Sequence, residues 1–189
     1  FGAETLKAFQ NFPQVGNVIL SDDIEKVVNV FTMLDKEITK RKELFSEFGG
    51  SYMSYIKESG KKLPLIITVL NAFETYAESS DEYLDYFNAL LRDGYKYGVV
   101  FVMTATLINS VPTKMVQNFG NIIATQFADP DDYRFHLGAP LGLIPSKCFG
   151  RGLIKVDSTC YEFQSALIYL KEKINDAIKG MSETLNGMY

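Results

Sequence analysis

The sequence is short of the residues that build metal centres and nucleophilic active sites. Among 189 residues there is one histidine, His136, and there are two cysteines, Cys148 and Cys160. A zinc site or a histidine-based triad needs several such residues, and two cysteines do not make a disulfide framework. We therefore expect no metal site, two reduced thiols and no catalytic cysteine, since only His136 could activate one.

Excess positive charge and long hydrophobic runs are also missing. The net charge is −4 and the pI is about 5.1, which argues against nucleic-acid binding because phosphate contacts rely on a basic surface. No apolar run approaches the roughly 20 residues of a membrane helix, and no signal peptide is visible. We expect a cytoplasmic domain. Because the chain begins at Phe1 without methionine, we also expect it to be a fragment of a longer protein.

What is present suits one globular α/β domain. The chain is 47% hydrophobic and 22% charged, and it is long enough for a sizeable core. Apolar runs at 65–70 and 99–103 predict two strands, with a helix over 81–92 between them. Since consecutive residues are apolar, both faces of each strand should be buried. The pattern predicts a three-layer domain with a mainly parallel central sheet.

The remaining elements flank these two strands. We predict long helices at 23–48 and 170–185, a helix at 51–58, helical turns at 114–119 and from 129, and short strands at 15–20, 121–127, 151–157 and 161–169. Asp or Ser before residue 24 should cap the first helix, and the Gly49-Gly50 pair should end it. The run Lys40-Arg41-Lys42 is interpreted as a solvated face, with a phosphate or partner contact as the alternative.

Polar residues follow the first central strand, where function collects in α/β sheets. A Walker B site would place two acids there, one to hold the magnesium of a bound nucleotide and one to polarise the attacking water. Asn71 and Ala72 occupy these positions instead. Asn71 lacks the charge, and Ala72 cannot act on water. Glu74 lies further along and is the acid that could be recruited. The alternative for Asn71 is that it simply caps the end of the strand.

At the end of the second strand, Thr104 and Thr106 occupy positions from which a polar sensor would contact a γ-phosphate. Ordinary hydrogen-bonding threonines are the alternative. Arg92 is either an arginine finger for a neighbouring subunit or a plain surface arginine. A phosphate-cradling loop needs G-x-x-x-x-G-K-[ST], and no segment matches. The chain therefore has neither half of a standard ATP site.

Seven segments carry a resemblance through their order and spacing: Phe1-Gly2-Ala3-Glu4-Thr5-Leu6, Phe12-Pro13-Gln14-Val15, 35–38, 41–45, 63–71, Gly150-Arg151-Gly152-Leu153 and Glu162-Phe163-Gln164. Together they resemble the FtsK/SpoIIIE family of P-loop motor ATPases, and most closely the EssC/EccC-type motors of type VII secretion. The likeness covers nearly the whole chain. Phe149 departs from it, because the family has proline before the Gly-Arg-Gly element.

The resemblance implies a RecA-like, P-loop NTPase-type fold, with residues 1–189 as a single module whose P-loop portion lies before Phe1. It implies ATP and Mg²⁺ as cofactors, although a module with Asn71-Ala72 at the Walker B acids could use neither, so enzymatic activity stays open. It also implies binding of helical WXG-type secreted substrates and of neighbouring ATPase modules, a hexamer in the parent, and a parent anchored to the bacterial membrane by segments outside this chain.

Three functional readings follow. The first is a degenerate secretion-motor module that docks substrate or neighbouring modules. The second is a hydrolysing motor domain whose P-loop lies outside this chain. The third, a DNA translocase, is the weakest because the chain is acidic.

Overall fold

The computed structural model describes residues 6–20, 23–79, 81–166 and 173–188. These residues form two compact units, one holding the chain up to Asn118 and from Met181 onward, the other holding Phe119–Gly180. The α/β class is confirmed: the first unit contains a parallel strand pair and the second an antiparallel sheet. No helix within the described ranges is long and apolar enough to cross a membrane.

The first unit alternates helices with two strands. In chain order its elements are α1 Ile24–Phe45, α2 Tyr52–Ser59, β1 Ile66–Leu70, α3 Phe73–Ser79, α4 Asp81–Gly94, β2 Val99–Met103 and α5 Thr113–Val116. β1 and β2 pair in parallel, with Leu70 opposite Met103. Because the register is unshifted, the carboxyl ends of the two strands lie side by side. The predicted strand–helix–strand order is confirmed, with α3 added where a loop was expected.

Helix α1 forms where the periodicity predicts it. The side chain of Asp23 accepts a hydrogen bond from the Lys26 N–H at 3.2 Å, which is an N-cap. At the other end, Gly49 and Gly50 both have positive φ, and the Gly50 N–H donates to the Phe45 carbonyl at 2.9 Å. The alternative cap at Ser21 or Asp22 lies outside the described residues.

Aromatic rings join α1, α4 and one face of the parallel pair. Phe31 of α1 stacks on Phe87 of α4 with ring centroids 5.1 Å apart. Phe87 in turn meets Phe101 of β2 edge-on at 5.4 Å. Phe31 and Phe87 are buried, so the two helices cover this face of the sheet.

The opposite face of the parallel pair is exposed, and the expectation that both faces would be buried is wrong. Ile67 is 62% exposed, and Leu65, Val69 and Val102 are also exposed. Val69 lies opposite Val102 in the register, so these side chains form one apolar face, which we call the open sheet face. Consecutive apolar residues predict two covered faces, but α1 and α4 pack on only one.

Arg41 corrects the interpretation of 40–42 as a solvated run. Its side chain is 3% exposed, while Lys40 and Lys42 are exposed as expected. The guanidinium donates to the carbonyls of Pro64, Tyr97 and Gly98 and to the carboxylate of Glu37. The three carbonyls immediately precede β1 and β2. Arg41 therefore ties α1 to the amino ends of both strands.

Residues 15–20 do not form the predicted strand. Gly16 and Asn17 interrupt the apolar run, and the Asn17 side chain accepts a hydrogen bond from the Val18 N–H at 2.8 Å. This local bond uses a donor that a strand ladder would need. The preceding family element, Phe1 to Thr5, lies outside the described residues.

The second unit is built on an antiparallel sheet. Its elements are β3 Ile123–Ala124, α6 Asp131–Leu137, β4 Arg151–Val156 and β5 Thr159–Gln164. The last helix of the chain, α7, spans Ile174–Asn186, and the division between the two units falls within it. The strand order is β3-β4-β5. Tyr133, Leu137 and Leu153 are buried together at its core. The strand predicted at 121–127 shrinks to two residues, because only these pair with β4. The end of the strand predicted at 161–169 and the first residues of the last predicted helix, 167–172, lie outside the described residues.

Candidate functional site

The aligned ends of β1 and β2 bring Asn71 and Thr104 together. The Thr104 hydroxyl donates to the Asn71 side-chain oxygen at 2.8 Å and accepts from the Ala72 N–H at 3.0 Å. The Thr104 N–H also donates to the Leu70 carbonyl at 2.9 Å, which continues the strand pairing beyond its last residues. Ala72 has a φ of 55°, a conformation that non-glycine residues rarely adopt. The chain therefore turns sharply after β1, and Thr104 holds the turn.

Glu74 joins the same region from the first turn of α3. One carboxylate oxygen accepts from the Thr106 N–H at 3.1 Å. The other is buried and has no hydrogen-bond partner within the described ranges. Burial alone would raise the pKa of Glu74, but hydrogen bonds from its own backbone N–H and from Thr106 outweigh it and hold the pKa below its ordinary value. Glu74 is thus an ionised carboxylate at neutral pH.

All five residues singled out after the two strands therefore make hydrogen bonds across the strand ends, in two neighbouring groups. We call the two groups together the strand-end network: Asn71, Ala72 and Thr104 in one, Glu74 and Thr106 in the other. Arg92 lies elsewhere. It lies in the last turn of α4. The last residue of that helix, Gly94, is so close to β2 that an added Cβ would be 2.9 Å from the Val99 carbonyl. Arg92 is exposed and pairs with Asp93 at 2.8 Å, at the amino end of the sheet. Its role as an arginine finger stays a prediction.

The strand-end network fits bound Mg-nucleotide poorly. Mg²⁺ prefers carboxylate oxygens, and the amide oxygen of Asn71 already accepts the Thr104 hydroxyl. The single carboxylate, Glu74, already accepts from Thr106. The described residues contain no group of three His, Cys, Asp or Glu arranged to hold a metal ion. These residues do not by themselves supply a magnesium site, and no step of ATP hydrolysis can be derived from them.

The late Gly-Arg-Gly and Glu-Phe-Gln elements brace one loop of the second unit. Glu162 accepts from the Ser146 N–H at 2.8 Å and lies 3.6 Å from the Arg151 guanidinium. Hydrogen bonds from Ser146 lower the pKa of Glu162, so the brace is charged at neutral pH. Gln164 donates to the carbonyl of Phe149, whose ring is left 90% exposed. The two elements therefore position a loop here.

The second unit also carries a cleft that sequence reasoning missed, which we call the α6 cleft. It has a volume of about 220 Å³ and lies between the first turns of α6 and the loop 140–144. The sequence offered one signal, the Gly- and Pro-rich stretch at 138–152, which predicted a loop. The cleft itself depends on how that loop packs against α6, which local patterns do not encode.

Comparison with known proteins identifies the family and the fold of this chain. The model of the FtsK/SpoIIIE family matches residues 1–141. ESX secretion system protein EccC of Geobacillus thermodenitrificans is 28% identical over 160 residues, or 84% of this chain and 11% of that protein. ESX secretion system protein YukB of Bacillus subtilis is 28% identical over 141 residues, or 74% of this chain and 9% of that protein. This chain spans about a tenth of these relatives.

Two solved structures share the fold across the whole chain. EssC (ATPases 2 and 3) of Geobacillus thermodenitrificans aligns with a TM-score of 0.83 at 23% identity, and this chain covers 37% of it. EccC (ATPases 2 and 3) of Thermomonospora curvata, in complex with a signal sequence peptide, aligns with a TM-score of 0.82 at 20% identity, with 36% covered. At these identities the likeness shows the fold alone, which is that of RecA-like ATPase modules.

Proposed function

This chain belongs to the FtsK/SpoIIIE family, and on that premise we propose that it is a degenerate ATPase module of a type VII secretion motor. It would act by binding a secreted substrate or a neighbouring module, with little or no ATP hydrolysis of its own. The relatives named for ESX secretion support the secretion branch. The net charge of −4 disfavours a DNA-translocating role.

One observation carries the proposal: Asn71, which the resemblance puts where the family has its magnesium-binding acid, has its side-chain amide engaged in holding a turn. Asn71 accepts the Thr104 hydroxyl, and Thr104 accepts the Ala72 N–H. A hydrogen-bonded amide offers no negative charge to a cation, and Ala72 has no group that could polarise water. The side chains at the strand ends therefore hold the turn after β1 together.

The partners we propose are helical WXG-type secreted proteins and adjoining ATPase modules of the same motor, assembled as a hexamer. A structural neighbour solved with a signal sequence peptide supports a peptide-binding role for modules of this fold. We place the module in the cytoplasm and the parent protein at the cell membrane. Residues 1–189 would then form one module of that parent.

A working ATPase whose P-loop lies outside this chain is the second candidate. The observation that favours it is Glu74, an ionised carboxylate beside the strand ends with one buried oxygen free of hydrogen bonds in the described part of the chain. Thr104 and Thr106 would then serve as sensors of the γ-phosphate. Nucleotide binding by this chain would favour this candidate over the first.

Calorimetry tests both proposed binding activities, since peptide binding would support the docking module and Mg-ATP binding by this chain would support the working ATPase. The purified chain is titrated with Mg-ATP from micromolar to millimolar concentrations, and then with a peptide carrying the C-terminal helix of a WXG-type secreted protein. We expect heat of binding from the peptide and none from Mg-ATP. Clear binding of Mg-ATP would contradict the degenerate module, and Glu74→Gln and Thr104→Val would then locate the nucleotide site.

A further inference from the structure

Strand β5 is the outer strand of the antiparallel sheet in the second unit. The strand order is β3-β4-β5, and no strand in the described ranges pairs with the far edge of β5. Its six residues pair with β4 in an unbroken register, from Thr159 opposite Val156 to Gln164 opposite Arg151. A regular strand of this length presents a row of unpaired backbone donors and acceptors along its free edge.

The hydrogen bonding between β4 and β5 decides which backbone groups point outward. The Ser165 N–H donates to the Gly150 carbonyl at 2.9 Å, and these two residues continue the register by one step, so they form a hydrogen-bonded pair. Hydrogen-bonded and non-hydrogen-bonded pairs alternate along an antiparallel ladder. The backbone of Tyr161 therefore bonds to β4, and the backbones of its neighbours Cys160 and Glu162 face the free edge.

The free edge of β5 lacks the features that keep sheet edges apart. Such edges usually carry a lysine, a proline or a bulge. The strand Thr159–Gln164 contains neither residue, and its register has no bulge. Its single charge, Glu162, accepts from the Ser146 N–H and lies 3.6 Å from the Arg151 guanidinium, so the charge is offset within the second unit. Tyr161 is 54% exposed, which leaves an aromatic ring beside this edge in water.

The strand is complementary to itself in an antiparallel arrangement. Only residues whose backbone faces outward can form hydrogen-bonded pairs across the edge, which restricts a symmetric pairing to a few registers. One register places Cys160 opposite Glu162 of the second copy, and Tyr161 opposite Tyr161. The next register places Glu162 opposite Glu162, where like charges repel. A third places Phe163 opposite Phe163, but that ring lies over Gly152 of β4, where an added Cβ would be 2.8 Å from it. The first register is therefore favoured.

We propose that β5 pairs with β5 of a second copy of this chain, antiparallel and about a two-fold axis at Tyr161. The two Tyr161 rings then meet in a non-hydrogen-bonded pair, the kind in which side chains are closer, and aromatic pairs of this kind stabilise sheets. Every contact is made twice, as in isologous dimer interfaces. Because each copy contributes one strand, the interface is small and the dimer weak. The pairing goes beyond the proposed function, since it needs neither substrate nor nucleotide.

Sedimentation equilibrium of the full chain, from micromolar to millimolar concentrations, measures the dissociation constant of the dimer. Every sample carries Ile67→Ser, which weakens association through the open sheet face. Tyr161→Lys places a lysine beside the edge, and we expect it to weaken the dimer about tenfold or more. Tyr95→Lys is the matched control, since Tyr95 is also exposed but lies in the first unit, and it should leave the dissociation constant within about twofold. All three substituted residues are exposed, and circular dichroism confirms folding.

Disulfide crosslinking tests the register of the pairing. Cys148→Ser removes the exposed native thiol and gives the background. Adding Tyr161→Cys places two thiols in a pair whose Cα atoms are about 4.5 Å apart, within reach of a disulfide. Adding Thr159→Cys instead places them four residues apart along the strands, or about 14 Å. We expect a disulfide-linked dimer under mild oxidation from the first variant and only background from the second. A chain that stays monomeric, a dimer unaffected by Tyr161→Lys, or equal crosslinking by both variants would overturn the proposal.

Discussion

Replacing Arg41 by methionine should unfold the first unit far more easily than its place in a basic run suggests. The guanidinium donates to Glu37 at 2.8 Å, to the carbonyls of Pro64 and Tyr97 at 3.0 Å each, and to that of Gly98 at 3.3 Å. Methionine fills a similar space and favours a helix, but it donates no hydrogen bond. The substitution therefore isolates the polar contribution of the side chain.

The expected loss follows from the burial of these groups. A hydrogen bond to a charged group contributes about 1.5–3 kcal/mol, but four bonds from one side chain are not additive. Removing the guanidinium leaves the carbonyls of Pro64 and Tyr97 without this donor, at about 1–3 kcal/mol for each unpaired acceptor, so we expect a loss of about 3–5 kcal/mol. It is a large part of a total stability of about 5–15 kcal/mol. Arg41→Lys keeps the charge but not the planar fork of donors. Its free energy of unfolding should therefore lie between those of the unmodified chain and of Arg41→Met.

Urea denaturation followed by circular dichroism measures the free energy of unfolding, and hydrogen exchange of the β1 amides localises the change. Lys40→Met and Lys42→Met are matched controls in the same helical turn. Both side chains are exposed, so each should change stability by less than about 0.5 kcal/mol. A loss below about 1 kcal/mol for Arg41→Met would refute the reasoning.

Three further predictions concern the turn before β2 and the strand-end network. Gly98→Ala should lower the free energy of unfolding, measured by urea denaturation, by more than about 1 kcal/mol. The φ of Gly98 is 76°, and a new Cβ would be 2.5 Å from the Tyr52 ring. Gly16→Ala is the control, and because Gly16 lies in open space it should be nearly neutral. Asn71→Asp should not by itself restore hydrolysis, and Mg²⁺-dependent phosphate release by that variant would contradict the degenerate module. The pKa of Glu74 is lowered on folding, so its charge stabilises the fold above the pKa of the unfolded chain, and this contribution disappears as the pH falls through the folded pKa. In a plot of melting temperature against pH, Glu74→Gln should therefore reduce the slope on the acid side. An unchanged slope would mean that the network does not stabilise the carboxylate.

The apolar runs and the residues that follow them were enough to predict where the residues of the strand-end network lie. Two apolar runs separated by a helix imply a parallel pair, and a parallel pair places the residues after each strand together. It places 71–74 and 104–106 at one edge of the sheet, where the structure pairs Asn71 with Thr104 and Glu74 with Thr106. It could not give the direction of each hydrogen bond, because that depends on the turn at Ala72.

Arg41 shows that the charge of a residue alone does not predict whether its side chain is exposed. It falls on the buried stripe of α1, three residues after Ile38 and four before Phe45, so its position predicted burial while its charge suggested solvent. Its partners are carbonyls more than 20 residues away along the chain, which local patterns cannot reveal. The α6 cleft was missed for a different reason: its walls are close in sequence, but the path of the loop 140–144 beside α6 depends on how the loop packs and not on its composition.

The open sheet face affects the self-association and the thermal stability of the isolated chain in solution. Apolar surface left in water forgoes about 25 cal/mol for each Å² that could be covered, and an uncovered parallel pair also leaves strand edges available for pairing. We expect the purified chain to self-associate as its concentration rises, more strongly in sulfate than in chloride. Any segment that binds over Ile67 and Val69 would raise the melting temperature, and the rise would grow with the logarithm of its concentration above the dissociation constant. Thermal shift against added segments of the motor proposed above is therefore a direct screen for the neighbours of this face.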